Sequence, residues 1–288
     1  MSAITPIYVC GPTASGKSAL AIELAKSKNG EIVNADAYQL YREIDIISAA
    51  PSAEEIAQVP HHLYGVLSPQ ESCDAMKFRT MALPVIAEIQ SRGKTPIITG
   101  GSGMYLKFLT HGPSPVPSSD PALRAELDSE SDDTLITRLT SLDPEGAAMS
   151  NLKNRRYVIR ALEICILSGQ KMSEIKNDWK KASTEKEKHL RGIYLLWDRE
   201  LLRQRINKRA RIMLDSGAIE EVVALQNISA TCEKAIGIPQ VLRHLAGEIS
   251  RDECAEFIAA ATRQYAKRQR TWFGKETWLT PYPVDNSQ

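Results

Sequence analysis

Short apolar runs alternate with longer mixed stretches through the first hundred residues. Positions 7–10 (Ile-Tyr-Val-Cys) form a β-rich run that stops at Gly11-Pro12. Positions 18–27 read as a helix, with Ala19, Leu20, Ile22, Leu24 and Ala25 apolar, and 31–35 as a second strand ending at Asp36. A short strand is expected at 63–67, after His61-His62, then a helix over 75–92 and a strand over 95–99 closed by Gly100-Gly101. Strands alternating with helices predict a parallel α/β sheet.

The pattern changes near Gly112. Pro113, Pro115, Pro117 and Pro121 punctuate a boundary. Helical stretches follow at 121–127, 134–142 and 154–168, with few β-branched alternations. Strand character returns at 192–197. Asp198 caps a long helix to about Ser216, ended by Gly217, and 218–225 and 251–272 are further helices. The expected organisation is an α/β core in two parts, 1–112 and 191–288, around an α-helical insertion, 113–190. Only 283–288 and the stretch around 112–121 read as disordered. No internal repeat is evident.

The 288 residues are 43% apolar and 25% charged, values of an ordinary globular chain with a core to bury. No apolar run approaches the ~20 residues of a membrane span. Residues 1–6 lack a basic segment and the run 7–10 is too short for a signal peptide, so a cytoplasmic chain without membrane contact is expected. The five cysteines are odd in number and none are spaced C-x-x-C, which argues for buried thiols rather than disulfides or zinc. His61 and His62 lack a third ligand at useful spacing and read as turn or core residues. Trp179 and Trp197 read as packing residues.

Net charge is +1, but its distribution is uneven. Glu126, Asp128, Glu130, Asp132 and Asp133 form an acidic run. Lys153, Arg155, Arg156 and Arg160 lie in a segment without acids, as do Arg263, Lys267, Arg268, Arg270 and Lys275. Arg156 and Arg160 share a helix face by their spacing. So do Arg263, Lys267 and Arg270, with Tyr265, Gln269 and Trp272 beside them. Interleaved cations and aromatics suit phosphates and stacked bases.

Gly11-Pro12-Thr13-Ala14-Ser15-Gly16-Lys17-Ser18 fits G-x-x-x-x-G-K-[ST], between a strand and a helix. Its backbone N–H groups and the helix N-terminus favour phosphate oxygens. Lys17 would neutralise the terminal phosphate and the Ser18 hydroxyl would ligate Mg²⁺. The fold class is thus a P-loop NTPase-like α/β core, a parallel sheet flanked by helices, plus the helical insertion. ATP hydrolysis, kinase action and diphosphate departure all use this cradle. NTPases usually place an Asp at the end of a nearby strand. Here 96–99 runs into Gly100-Gly101-Ser102-Gly103, without a carboxylate. Asp36 is the carboxylate at the end of a strand, where open α/β sheets bind ligands and where it can accept a proton.

Together, 11–18, 34–41 (Asn-Ala-Asp-Ala-Tyr-Gln-Leu-Tyr), 61–63 (His-His-Leu) and 92–105 (Arg-Gly-Lys-Thr-Pro-Ile-Ile-Thr-Gly-Gly-Ser-Gly-Met-Tyr) carry a family resemblance. Arg160–Glu163, Arg205-Ile206 with Arg209, Ala235–Gly237, 262–269 and 271–273 extend it. The chain resembles the bacterial tRNA dimethylallyltransferases (tRNA isopentenyltransferases) over nearly its whole length. The resemblance implies transfer of a dimethylallyl group from dimethylallyl diphosphate to N6 of adenosine 37 beside the anticodon, with Mg²⁺ as cofactor. It implies Asp36 as base, with Lys17, Ser102 and Arg209 at the reacting groups. It implies tRNA contacts from Asp36, Ala37, Tyr38, Gln39, Ser102, Arg124, Arg156, Tyr157, Arg160, Arg263, Lys267 and Arg268.

The chain departs from the family pattern at several places: Ser102 stands for a usual Thr, Tyr157 for a frequent basic residue, and Gly274 for a common Arg. Ile238-Pro239 interrupts a helix-friendly stretch. The chain stops soon after Trp278, without the zinc-finger extension of eukaryotic members, which is why a bacterial member is expected. A monomer is expected. The alternatives are a dimethylallyltransferase acting on free AMP, ADP or ATP, or a P-loop small-molecule kinase, neither of which needs basic helices far from the phosphate loop. A GTPase-like switch would want an N-K-x-D motif, which the sequence lacks.

Overall fold

The computed structural model describes residues 4–284. The chain divides into two compact units, Met1–His111 with His189–Gln288, and Gly112–Lys188. The first unit begins β1 (Ile7–Cys10), α1 (Lys17–Ser27), β2 (Gly30–Asn34), α2 (Asp45–Ser48), α3 (Ala53–Ile56), β3 (His61–His62), α4 (Ala75–Ser91), β4 (Thr95–Gly100) and α5 (Gly103–His111). The second unit holds α6 (Pro121–Asp128), α7 (Asp132–Leu142), α8 (Pro144–Met149), α9 (Arg155–Ser168) and α10 (Met172–Glu187). The first unit then resumes with β5 (Arg191–Leu196), α11 (Arg199–Asp215), α12 (Ala218–Ala224), α13 (Ile238–Leu245), α14 (Arg251–Phe273) and β6 (Leu279–Pro283).

The six strands form one sheet in the order β3-β2-β4-β1-β5-β6, and every pairing is parallel. The central strands are apolar along their length because helices cover both faces of such a sheet. β4 lies between β1 and β2, so the chain must cross β4 to pass from β1 to β2. The loops after β1, β2 and β4 therefore meet at the carboxyl edge, where the strand order reverses and ligands bind. Gly100 makes the meeting close: a Cβ there would lie 2.2 Å from the Ala35 carbonyl oxygen. The Ala35 N–H donates to the Thr99 carbonyl at 2.7 Å.

β2 also buries a charge. Glu31, 3% exposed, accepts from Arg92 Nη2 and pairs with His62 Nε2 at 2.7 Å and with Lys94 Nζ at 2.9 Å. Burial pushes its carboxyl up, but the Lys94 and His62 hydrogen bonds and the Lys94 and Arg92 charges outweigh it, leaving it below the usual range. His62 is thus tied to Glu31, and His61 Nδ1 to the Val59 carbonyl.

Several boundaries differ from the sequence reading. The short strand falls on His61–His62, not on 63–67, where Leu63 and Gly65 take positive φ. Pro239 does not interrupt a helix. It sits in the first turn of α13, where its missing N–H would be unpaired anyway. β6 carries Pro281 and Pro283, which an edge strand tolerates, so Pro283 closes the sheet rather than opening a disordered tail. Residues 285–288 lie outside the described residues, as do 1–3. The stretch near 112–121 leads into α6, whose N-cap Asp120 accepts from Ala122 and Leu123 N–H. All five cysteines are buried and free.

The second unit packs Leu127, Leu135, Leu139, Val158, Leu162 and Ile175 into its own core. Two buried carboxylates order it. Asp143 accepts from Gly146 N, Ser173 N and Ser173 Oγ. Glu163, wholly buried, accepts from Ser119 Oγ (2.7 Å), Asp120 N (2.8 Å), Arg124 Nη2 (2.8 Å) and Arg160 Nη1 (2.7 Å).

Candidate active site

The phosphate loop runs from Cys10 into α1. Ala14 and Gly16 take left-handed backbone, φ 63° and 81°. Glycine adopts that region freely; for alanine it costs roughly 1–2 kcal/mol, strain of the kind stored at ligand sites. Gly11 has no room for a side chain, since a Cβ would lie 2.8 Å from Ser15 Oγ. No side chain caps α1 at Gly16. Its first N–H groups are left for an anion, and the helix dipole adds to their pull.

Neighbouring residues hold the loop. Trp197 Nε1 donates to the Ser15 carbonyl and Arg205 Nε to the Ala14 carbonyl, each at 2.9 Å. The Arg205 guanidinium also lies 4.6 Å over the Trp197 ring. Thr13 N–H donates to Gln269 Oε1 at 2.9 Å. The Ser15 hydroxyl, buried, has no hydrogen-bond partner among the described residues.

Asp36 follows β2. Asn34 fixes its backbone: Asn34 Oδ1 accepts from Asp36 N–H at 2.7 Å, and Nδ2 donates to the Asp36 and Leu63 carbonyls. Asp36 Oδ1 accepts from Tyr38 N–H at 3.3 Å. Ser102, in the loop after β4, accepts from Ala37 N–H at 2.9 Å. The loop that lacks an NTPase carboxylate therefore supplies a hydroxyl that orients the strand end bearing one.

These parts line one pocket of about 390 Å³: the loop from Thr13 to Ser18, Asp36, Gln39, Arg205, Lys208 and Arg209. A smaller, largely apolar pocket of about 60 Å³ shares Thr13, Asp36, Ser48 and Arg209 with it, and adds Tyr38, Ile206, Met213, Ile258 and Tyr265. A polar and an apolar compartment thus meet at Asp36 and Arg209.

Burial lowers the Lys17 pKa; the nearby Asp36 opposes this, and Arg209 adds to it. Burial likewise lowers Arg209, again opposed by Asp36. An arginine so placed remains charged at neutral pH. Burial and the Asp36 charge raise Tyr265 and Tyr38. The site gathers cations around an anion cradle, with a carboxylate at its border.

The structure therefore brings together Gly11 to Ser18, Asp36 to Gln39, Ser102 and Arg209. Gln39 is partly engaged, since its Nε2 donates to the Ala49 carbonyl at 2.7 Å. Arg263 binds the Asn207 side chain. Lys267 and Arg268 are exposed on α14. In the second unit Arg156 and Tyr157 are exposed, while Arg124 and Arg160 are held by Glu163. Gln269 and Trp272, read as neighbours of an RNA-facing stripe, turn inward. Gln269 is 4% exposed, and Trp272 lies against Gly103. Sequence reasoning missed Asn34, Arg205, Lys208 and Gln269 as site residues. Arg205 and Lys208 carried a signal, lying on the helix of Arg209; Gln269 lay in the run 262–269 that carries the resemblance, but nothing there marked it as turned toward the phosphate loop.

Residues 39–276 match the family model described as IPP transferase. The chain is 45% identical to the tRNA dimethylallyltransferase of Akkermansia muciniphila, over 98% of this chain and 94% of that one. It is 42% identical to the tRNA dimethylallyltransferase of Geobacter sulfurreducens, over 97% and 92%. Among solved structures it is similar to the tRNA isopentenylpyrophosphate transferase of Bacillus halodurans (TM-score 0.70, 32% identity, 98% and 91% covered). It is also similar to a eukaryotic dimethylallyltransferase acting on tRNA (TM-score 0.77, 29% identity, 96% and 74% covered).

Proposed function

The chain belongs to the IPP transferase family, and from that premise we propose that it is a tRNA dimethylallyltransferase that alkylates N6 of the adenosine beside the anticodon. The observation that carries this reading is the shared wall of the two pockets. A phosphate cradle with Lys17 and a smaller, largely apolar compartment both take Asp36 and Arg209 into their lining.

The reaction needs little covalent work from the protein. The N6 lone pair is spread into the purine ring and attacks poorly. The donor compensates, because cleaving its allylic C–O bond leaves a resonance-stabilised carbon. The bonding pair departs with the diphosphate, N6 bonds to the carbon, and the N6 proton passes to the Asp36 carboxylate. The main energetic task is to stabilise charge growing on the leaving diphosphate. The uncapped N–H groups of α1, Lys17 and Arg209 are preorganised for it. Burial lowers the Lys17 pKa, and the negative charge of a bound diphosphate would favour its ammonium form.

Mg²⁺ fits the site, because the Ser18 hydroxyl is a hard oxygen donor lining the phosphate pocket. When bound, the ion would neutralise diphosphate oxygens, with Ser18 as its protein ligand.

The adenine must leave its stack to reach Asp36, which costs a few kcal/mol and least in an unpaired loop. Asp36 to Gln39 and Ser102 would read the extruded base. Arg263, Lys267 and Arg268 would meet the backbone, with Arg156 and Tyr157 of the second unit. Arg124 and Arg160, fixed by Glu163, would form a pre-ordered cationic pair there. No helix among the described residues is long and apolar enough to cross a membrane. A cytoplasmic monomer suits a tRNA substrate.

The test is incubation with labelled dimethylallyl diphosphate, Mg²⁺ and either bulk tRNA or AMP. Label in tRNA alone is expected. Label in AMP but not in tRNA would make the chain a free-nucleotide prenyltransferase.

A further inference from the structure

Helix α14 spans Arg251–Phe273 and has two working flanks. Lys267 and Arg268 are exposed, while Ala266, Gln269 and Phe273 are buried. Gln269 is only 4% exposed, yet both ends of its amide leave the helix. Its Oε1 accepts from Thr13 N–H, and its Nε2 donates to the Gly101 carbonyl, both at 2.9 Å. One side chain thus joins the start of the phosphate loop to the loop after β4.

The fit around this bridge leaves no slack. A Cβ on Gly101 would lie 2.1 Å from Gln269 Nε2 and 3.4 Å from Asp36 Oδ2. One turn along α14, the Trp272 ring rests on Gly103, where a Cβ would come within 2.5 Å of it. The next residue after Gly101 is Ser102, whose hydroxyl holds Ala37 beside the carboxylate. Gln269 therefore touches the leaving-group loop directly and the Asp36 segment through one intervening loop.

We infer that Gln269 is the positioning residue that couples the two substrate sites. It locks the phosphate loop, and with it the leaving diphosphate, in register with Asp36. It also transmits to both loops the seating of nucleic acid on the exposed flank of α14. The inference rests on the tRNA reading above. Packed helices shift as units rather than deform. Hydrogen bonds of 2.9 Å lose alignment when either partner moves by a fraction of an ångström. Phosphates pulling on Lys267 and Arg268 therefore act on the Gln269 bridge, and diphosphate seated in the cradle acts back by the same factor.

The test measures the affinity for inorganic diphosphate with and without an anticodon stem-loop RNA carrying an unmodified adenine. It also measures RNA affinity with and without diphosphate, and prenyl transfer to that RNA. In the unaltered protein each ligand is expected to change the affinity for the other by about fivefold or more. Gln269→Met keeps the side-chain volume but removes both hydrogen bonds. It should leave each separate affinity within about threefold, reduce the coupling below about twofold, and lower kcat about tenfold with KM nearly unchanged. Gln269→Glu keeps the acceptor for Thr13 and opposes the Gly101 carbonyl, so its coupling should be intermediate. It decides the matter where the Met variant fails to fold.

A merely structural brace would lower thermal stability and leave the coupling factor intact; that result, or no coupling in the unaltered protein, overturns the inference. RNA that binds and is prenylated with unchanged coupling in the variants sinks this inference alone. RNA that neither binds nor is prenylated sinks the functional reading and this one with it.

Discussion

The Trp197 indole N–H donates to the Ser15 carbonyl at 2.9 Å, joining the end of β5 to the crest of the phosphate loop. In a trans peptide the carbonyl and the next N–H point in opposite directions. Holding the Ser15 carbonyl against Trp197 therefore turns the Gly16 N–H away from Trp197. Trp197→Phe keeps the packing and removes the bond. It should cost about 1 kcal/mol of stability and weaken diphosphate binding roughly fivefold, read by melting and calorimetric titration. Unchanged affinity would mean that the loop holds its shape without Trp197.

Ser102 accepts from Ala37 N–H at 2.9 Å. Ser102→Ala leaves that donor unpaired beside Asp36, a loss of about 1–2 kcal/mol. A roughly tenfold drop in kcat/KM is expected, mostly in kcat, because the bond orients the base rather than the donor. Ser102→Thr keeps the hydroxyl and should stay within about threefold. Equal loss in both variants would show that the hydroxyl is not what matters.

Asp36→Asn preserves shape and the acceptor for Tyr38 N–H, but it cannot take a proton. Transfer should fall by about two to four orders of magnitude, the usual contribution of a general base. Diphosphate affinity should change little, since the cradle is built from α1, Lys17 and Arg209. Loss of both together would mark Asp36 as structural.

The chain advertises the cradle because its chemistry is contiguous: eight neighbouring residues, 11–18, state strand, turn, lysine and helix start in sequence. Asp36 is legible for a similar reason, ending an apolar run. The carboxyl edge that joins them is not, because it depends on β4 lying between β1 and β2. Gln269 and Trp272 show the limit most sharply. Helical spacing sets them beside the cations of α14, but spacing alone does not say which flank meets the sheet. β6 was invisible because Pro281 and Pro283 argue against a strand anywhere but an edge.

Burial holds the Lys17 pKa below the lysine value of 10.5. A group with a lowered folded-state pKa opposes folding while protonated. Stability of the ligand-free protein should therefore rise as pH climbs from the lowered value toward 10.5, where only the unfolded chain holds the extra proton. Lys17→Met should remove that rise and raise the melting temperature at neutral pH. It should also abolish the stabilisation that diphosphate confers on the unaltered protein. A melting temperature lowered by the substitution would contradict the assignment of Lys17 to an anion rather than to the fold.

Glu163 orders the second unit by accepting from Arg124, Arg160, Ser119 and Asp120 while wholly buried. Burial pushes its carboxyl up, but the Arg160, Ser119, Asp120 and Arg124 bonds outweigh it and hold the pKa at about 2. A depressed pKa contributes stability above the unfolded value of 4.5, lost as pH falls from 4.5 toward 2. The contribution at neutral pH is on the order of 3 kcal/mol. Glu163→Gln should destabilise the unit by a similar amount at pH 7 and flatten its stability between pH 4.5 and 2, read by hydrogen exchange of amides in α6 and α9. Because Arg124 and Arg160 would lose their anchor, RNA affinity should fall as well, with diphosphate affinity unchanged. If exchange in α6 and α9 kept its acid dependence in the variant, the carboxylate would not be what holds these two arginines.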